Sequence, residues 1–295
     1  MEKSAILASR ELVRGAARMN DLVYIISKSK ALVEQDIAHT SLIALDAGRW
    51  GDCVDTTWSS TAVAIARKPA EKGVLVGEDG AVVTYVGGKS QKEKLSPAPV
   101  MIRNAREIDG FVYACGMKRQ VYKRTGEKKW IAINAPAARA TESKGFEDVG
   151  GYSSTEIYAV GWDGEIWQYD GTSWTARRSP TSVTLTAVCC APDGTVYVAG
   201  QGGVLLRGRG ETWTSVAWKK PVSLDLWDLA WHDGRLFVAT MTGLFTLGGD
   251  KLTAVSGRRG VTPNAFSLSV HDGVLWSIGR DELWSFDGRT WAQHA

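Results

Sequence analysis

Four bulky side chains spaced 39 residues apart constrain this chain more than any other feature: Trp174, Trp213, Leu252 and Trp291 keep that interval, and Trp130 precedes the first by 44. A period in this range marks a repeat architecture, in which each unit buries its apolar face only against its neighbours. Short β-branched or aromatic runs recur in step with these residues: Leu22–Ile25, Val74–Gly77, Val112–Gly116, Ile157–Gly161, Val196–Gly200, Leu236–Ala239 and Leu275–Gly279. Seven units in 295 residues average about 42 each, inside the roughly 40–45 of a four-stranded propeller blade.

Turn chemistry supplies the strand order. Asp109-Gly110, Asp193-Gly194, Asp233-Gly234 and Asp272-Gly273 precede the central runs, and Asp-Gly accepts the positive φ of a tight antiparallel hairpin. A second turn follows each run, and a third, such as Asp170-Gly171 or Asp287-Gly288, leads into the strand that opens with the periodic tryptophan. Each repeat is therefore a four-stranded meander, A to D. The D-to-A connections are too short for a crossover helix in every repeat, which argues against an α/β sheet. The expected fold is all-β: one domain over residues 1–295, a seven-bladed β-propeller with blades near 10–47, 48–95, 100–134, 145–178, 184–217, 224–256 and 264–295. The first two repeats diverge most, so six blades behind an N-terminal extension is the alternative.

With its Val-Tyr-Ala-Val-Gly-like runs and the Asp-Gly-x-Ser/Thr-Trp motifs at Asp170–Trp174 and Asp287–Trp291, the chain resembles the WD40, YVTN and BNR-like β-propeller superfamily over essentially its whole length. The resemblance implies architecture and says little of activity, because one such fold carries many functions.

Catalytic motifs are not evident. The four histidines are scattered, and His232 and His271 share one slot before Asp-Gly, where they read as exposed turn residues. Cys53, Cys115, Cys189 and Cys190 have no ligand spacing and read as small buried hydrophobes of a reducing compartment. Glu147 and Asp148 are adjacent on an inner strand, where alternation turns them to opposite faces. The Gly200–Gly203 run joins two strands instead of opening a helix, so it does not form a phosphate loop. Nothing calls for a metal or other cofactor. The start has no apolar signal core, and a cytoplasmic location is expected.

Charge placement remains. Four D-to-A connections carry Arg139, Lys144, Arg177, Arg178, Lys219, Lys220, Arg258 and Arg259 against one acid, Glu142, while aspartates of the Asp-Gly turns collect on the opposite rim. The molecule is expected to be electrically two-faced. Aligned inner strands put Arg14, Arg103, Asp148, Trp227 and Phe266 near the channel mouth on the basic rim, and Trp162 sits on a B–C turn of the same rim. Arginine with large aromatics is the composition of protein-binding hot spots. The expected function is thus a non-enzymatic protein-binding scaffold whose basic face meets an acidic protein surface. The superfamily resemblance adds, as its sharper form, an immunity protein that caps a toxin. The alternatives are a lyase or hydrolase working at the channel mouth through Asp148, Arg103 and Arg14, and nucleic-acid binding on the basic rim, for which a net charge of +3 gives little phosphate neutralisation.

Overall fold

In a computed structural model, described for residues 3–137, 144–218, 222–257, 260 and 263–295, the chain closes into a ring of seven four-stranded antiparallel sheets. The sheets occupy residues 10–56, 60–94, 102–132, 146–177, 185–215, 226–254 and 267–293. Every blade consists of four consecutive strands, so the first repeat is a full blade and the six-bladed alternative fails. Blade 1 extends to Thr56 because Arg49–Thr56, placed in the second repeat by the expected boundary, pairs with Thr40–Asp46 of the first.

The sequence runs acquire physical reasons. Strand B of each blade lies between two neighbouring sheets and is covered on both faces, so Glu156–Gly161 is apolar without alternation and buried from its second residue on. Its terminal glycine leaves room for backbone: a Cβ at Gly161 would stand 2.0 Å from the Gly145 carbonyl oxygen, and one at Gly116 2.0 Å from that of Met101. Asp109-Gly110, Asp233-Gly234 and Asp272-Gly273 all have positive φ at both residues, the signature of a type I′ hairpin. Asp170 and Asp287 each accept two backbone N–H bonds from the residues that follow, at 2.6 to 2.8 Å, which accounts for the Asp-Gly-x-Ser/Thr-Trp motif as turn bracing.

The periodic tryptophans are wedges. Trp130 packs with Val74 and Val76 of blade 2, Trp174 with Tyr113 and Val121 of blade 3, and Trp213 with Tyr158 and Val160 of blade 4. A second device joins blades 2 and 3: the buried Arg124 guanidinium forks onto the Glu93 carboxylate at 2.7 and 3.0 Å, and Trp130 Nε1 donates to the same group at 3.1 Å. The ring closes without strand exchange. Leu12 N–H donates to the Arg280 carbonyl at 2.8 Å, Ala17 N–H to Ser269 Oγ at 2.9 Å, and Ile6 of helix α1 (Lys3–Ser9) joins Trp50, Trp276 and Ile278 in the seam.

His232 is not an exposed turn residue. Packing of blade 6 against blade 7 buries it with its ring on Phe237 and Phe286, and burial holds its pKa below the usual imidazole value. His271 stays half-exposed, 3.2 Å from Asp272. All four cysteines are free; Cys115 is buried and the other three half-buried.

Candidate interaction surface

Inner strands begin at the rim formed by D–A connections and B–C turns, and six of them open with a one-residue bulge. The bulged residues Val13, Thr61, Arg103, Glu147, Thr186 and Trp227, with Phe266 at the matching place in blade 7, encircle the channel mouth. The following residues face into the ring. A longer A–B turn between Ala17 and Val23 in blade 1 and a second bulge at Tyr152 in blade 4 each add one residue to the hairpin, so side chains aligned as equivalents by sequence fall on two levels: Arg103, Trp227 and Phe266 at the mouth, Arg14 and Asp148 one step below it.

The lower level is a polar plug. Arg106 forks onto Asp148 at 3.0 and 3.1 Å and reaches across the channel to Asp228 at 2.6 Å. Asn104 donates to Asp148 at 2.6 Å and accepts from Arg14. Asp148 also takes the Val188 N–H at 3.0 Å, and Asp228 takes that of Leu268 at 2.8 Å. Burial alone would lower the pKa of Arg106, but the two carboxylates outweigh it and hold the guanidinium well above its ordinary value. For Arg14 burial, then repulsion from Arg106, prevails and pushes it down. Two cations and two anions thereby link six blades. Asp148 is fully buried and accepts four hydrogen bonds, so it offers a substrate or partner nothing. Below the plug, on the side of the A–B turns, lies a cavity of about 330 Å3.

At the mouth, Glu147 accepts from Arg103 at 3.0 and 3.1 Å and from Trp162 Nε1 at 2.6 Å, an ionic half opposite the apolar half made by Trp227 and Phe266. Backbone bonds tie the rim loops together: Trp162 N–H donates to the Gly145 carbonyl at 3.1 Å and Met117 N–H to that of Met101 at 2.8 Å. Arg177 turns to Gln168 at 3.0 Å and Glu211 at 3.7 Å, while Arg178 is exposed. Lys219, Lys220, Arg258 and Arg259 lie outside the described residues, as do Arg139 and Glu142.

The rim is not uniformly basic. B–C turns lie beside the D–A connections and bring Glu34, Asp36, Glu78, Asp79, Asp163, Glu165, Asp281 and Glu282 against Lys30, Lys118, Arg119 and Arg280. Glu165 alone engages Arg119 at 2.8 Å and Lys144 at 3.4 Å. Six of these eight acids lie on blades 7, 1 and 2, two on blade 4, and in the connection after blade 5 Asp225 accepts from the Gly202 N–H at 2.8 Å.

Apart from Trp227, sequence reasoning missed the exposed apolar residues. Among the described residues, nine large hydrophobics are exposed, and six stand on this rim: Val33, Ile37, Val100, Met101, Trp227 and Met241. Val33 belongs to a short helix, α2 (Lys30–Glu34), in the B–C connection of blade 1. That loop is braced by His39, whose Nε2 accepts from Ser29 N–H and whose Nδ1 bonds the Ile37 carbonyl, each at 2.7 Å. The available signal was apolar residues inside polar connections. No helix is long and apolar enough to cross a membrane, and no three His, Cys, Asp or Glu side chains converge as a metal site, both among the described residues.

No family model matches the chain. Over 294 residues it is 42% identical to the immune protein Tsi7 of Pseudomonas aeruginosa, covering 95% of this chain and 96% of that protein. Among solved structures it is similar to the WD40 β-propeller domain of Doa1 (TM-score 0.72, 12% identity, 93% of this chain and 91% of that one) and to YCF48 bound to D1 peptide (0.70, 16%, 94% and 92%). These two show the fold alone.

Proposed function

Since the chain belongs to the family of the immune protein Tsi7, we propose that it is an immunity protein that neutralises a toxin protein by capping it with the D–A and B–C rim. What supports this choice of surface is that, among the described residues, six of the nine exposed large apolar side chains stand on that one rim, in pairs on blade 1, before blade 3 and on blade 6. Trp227 and Phe266 are the proposed anchors, with Met241 beside them and Trp162 on the facing side of the mouth. Arg178 and Arg177, with Lys219, Lys220, Arg258 and Arg259 in the neighbouring connections, give the basic sector that would steer an acidic toxin surface into place. Arg103 contributes through its pair with Glu147. Arg14 and Asp148 act one level down, as frame for the mouth. We place the protein in the cytoplasm, where four free thiols stay reduced.

The toxin is identified by co-expression with genes adjacent to this one and by rescue of growth. Trp227→Asp is expected to weaken toxin binding by about 2–4 kcal/mol, the cost of losing a central anchor, and to abolish rescue with the fold intact. Reversing Arg177 and Arg178 to Glu is expected to slow association and flatten its salt dependence. If both variants bind and rescue as the wild type does, the rim is not the docking face.

A further inference from the structure

The register of each blade fixes one position for the interblade wedge. Trp50 faces Leu45, Trp130 faces Arg124, Trp174 faces Tyr169, Trp213 faces Gly208, Leu252 faces Leu247 and Trp291 faces Phe286. In blade 2 the same position, opposite Tyr85, is Ser90. Elsewhere the side chain reaches the preceding blade, as when Trp213 meets the ring of Tyr158 at 5.8 Å or Trp291 that of Phe237 at 6.4 Å. Ser90 is exposed, and a cavity of about 360 Å3 lies between blades 1 and 2, with Tyr24, Trp50, Cys53 and Tyr85 in its wall.

We propose that this cavity is a binding site for a small planar heteroaromatic molecule of the indole class. Its size is that of small-ligand pockets. Tyr24 and Tyr85 already meet edge to face at 5.8 Å, so a ring laid beside the pair stacks on one and turns its edge to the other, both favoured geometries. The Tyr24 ring is held in place, since its hydroxyl accepts from Arg18 at 3.0 Å and Arg18 is in turn fixed by Glu71 at 2.7 Å. At the sister junctions the indole N–H finds an oxygen, Glu93 for Trp130 at 3.1 Å and the Gly210 carbonyl for Trp213 at 2.9 Å. Asp46, on the wall of the cavity, provides the acceptor for a ligand N–H. The cavity opens beside the C–D turns, on the rim opposite the proposed toxin face, so the two readings stand or fall separately.

Indole is the probe, with titration calorimetry and 19F NMR of 5-fluoroindole as readouts on the full chain. Saturable one-to-one binding is expected with a dissociation constant on the order of 10⁻⁴ M, which ligand-efficiency bounds allow for so few heavy atoms. Ser90→Trp fills the site from within and is expected to abolish binding. Tyr85→Ala removes a wall and is expected to weaken binding about tenfold at unchanged circular dichroism, which keeps the test open if Ser90→Trp does not fold. No saturable binding up to the solubility limit, or equal affinity in Ser90→Trp, overturns the proposal.

Discussion

Glu93 shows how much one side chain can matter in a fold made of repeats. It lies in the charged run Lys89–Lys94, yet its carboxylate is fully enclosed with Arg124 and Trp130. Burial would raise its pKa, but Arg124 and the hydrogen bonds to the charged form hold it below the usual carboxylate value. The stabilisation from this group is therefore complete above the unfolded pKa of about 4.3 and fades as the pH falls through the folded value. Glu93→Gln is expected to cost about 3–5 kcal/mol at neutral pH, the penalty for stranding a buried arginine, and to flatten the acid limb of the stability curve; urea unfolding across pH checks both. The sequence could not disclose this pair, because nothing local says which charge of an alternating run meets the next blade.

At the scale of the element, strand order and turns were legible while depth was not. Asp-Gly turns, apolar B strands and the wedge tryptophans follow from local rules and were readable in advance. The bulges were not, since an extra residue in strand A changes neither composition nor length noticeably. One further residue at the far end of two hairpins, in the longer A–B turn of blade 1 and in a second bulge at Tyr152 of blade 4, separates Arg14 and Asp148, in the plug, from Arg103, Trp227 and Phe266, at the mouth. The glycine closing strand B reports the same crowding from the other side. Gly161→Ala is expected to destabilise by about 2–3 kcal/mol, at the upper end for single substitutions, because its Cβ would fall 2.0 Å from the Gly145 oxygen. Gly234→Ala, with open space around it but φ of 72°, is expected to cost only about 1 kcal/mol of backbone strain. Thermal unfolding of the two variants compares them.

For the whole molecule, seven blades and one ring were legible from the period, whereas the charge distribution was only half so. Counting D–A connections gave a basic rim; the B–C turns beside them bring acids, Glu34, Asp36, Glu78, Asp79, Asp281 and Glu282 among them, that the count left out. The plug, invisible to any pairwise motif because Arg106 and Asp228 are 122 residues apart, draws on six blades. Arg106→Met is expected to cost about 3–5 kcal/mol by leaving two buried carboxylates without their cation, and to lower the unfolding midpoint of the ring as one unit in calorimetry. Splitting into separate transitions would show that the plug does not couple the blades.

The bulges and the plug lie just beneath the rim and fix each inner strand before the connection above it begins. A connection can therefore lengthen, shorten or change its chemistry without shifting the register of the sheet that follows. Framework and recognition surface are thereby free to diverge at different rates, so a protein built this way can track a changing opponent by rewriting its loops while its blades stay as they are.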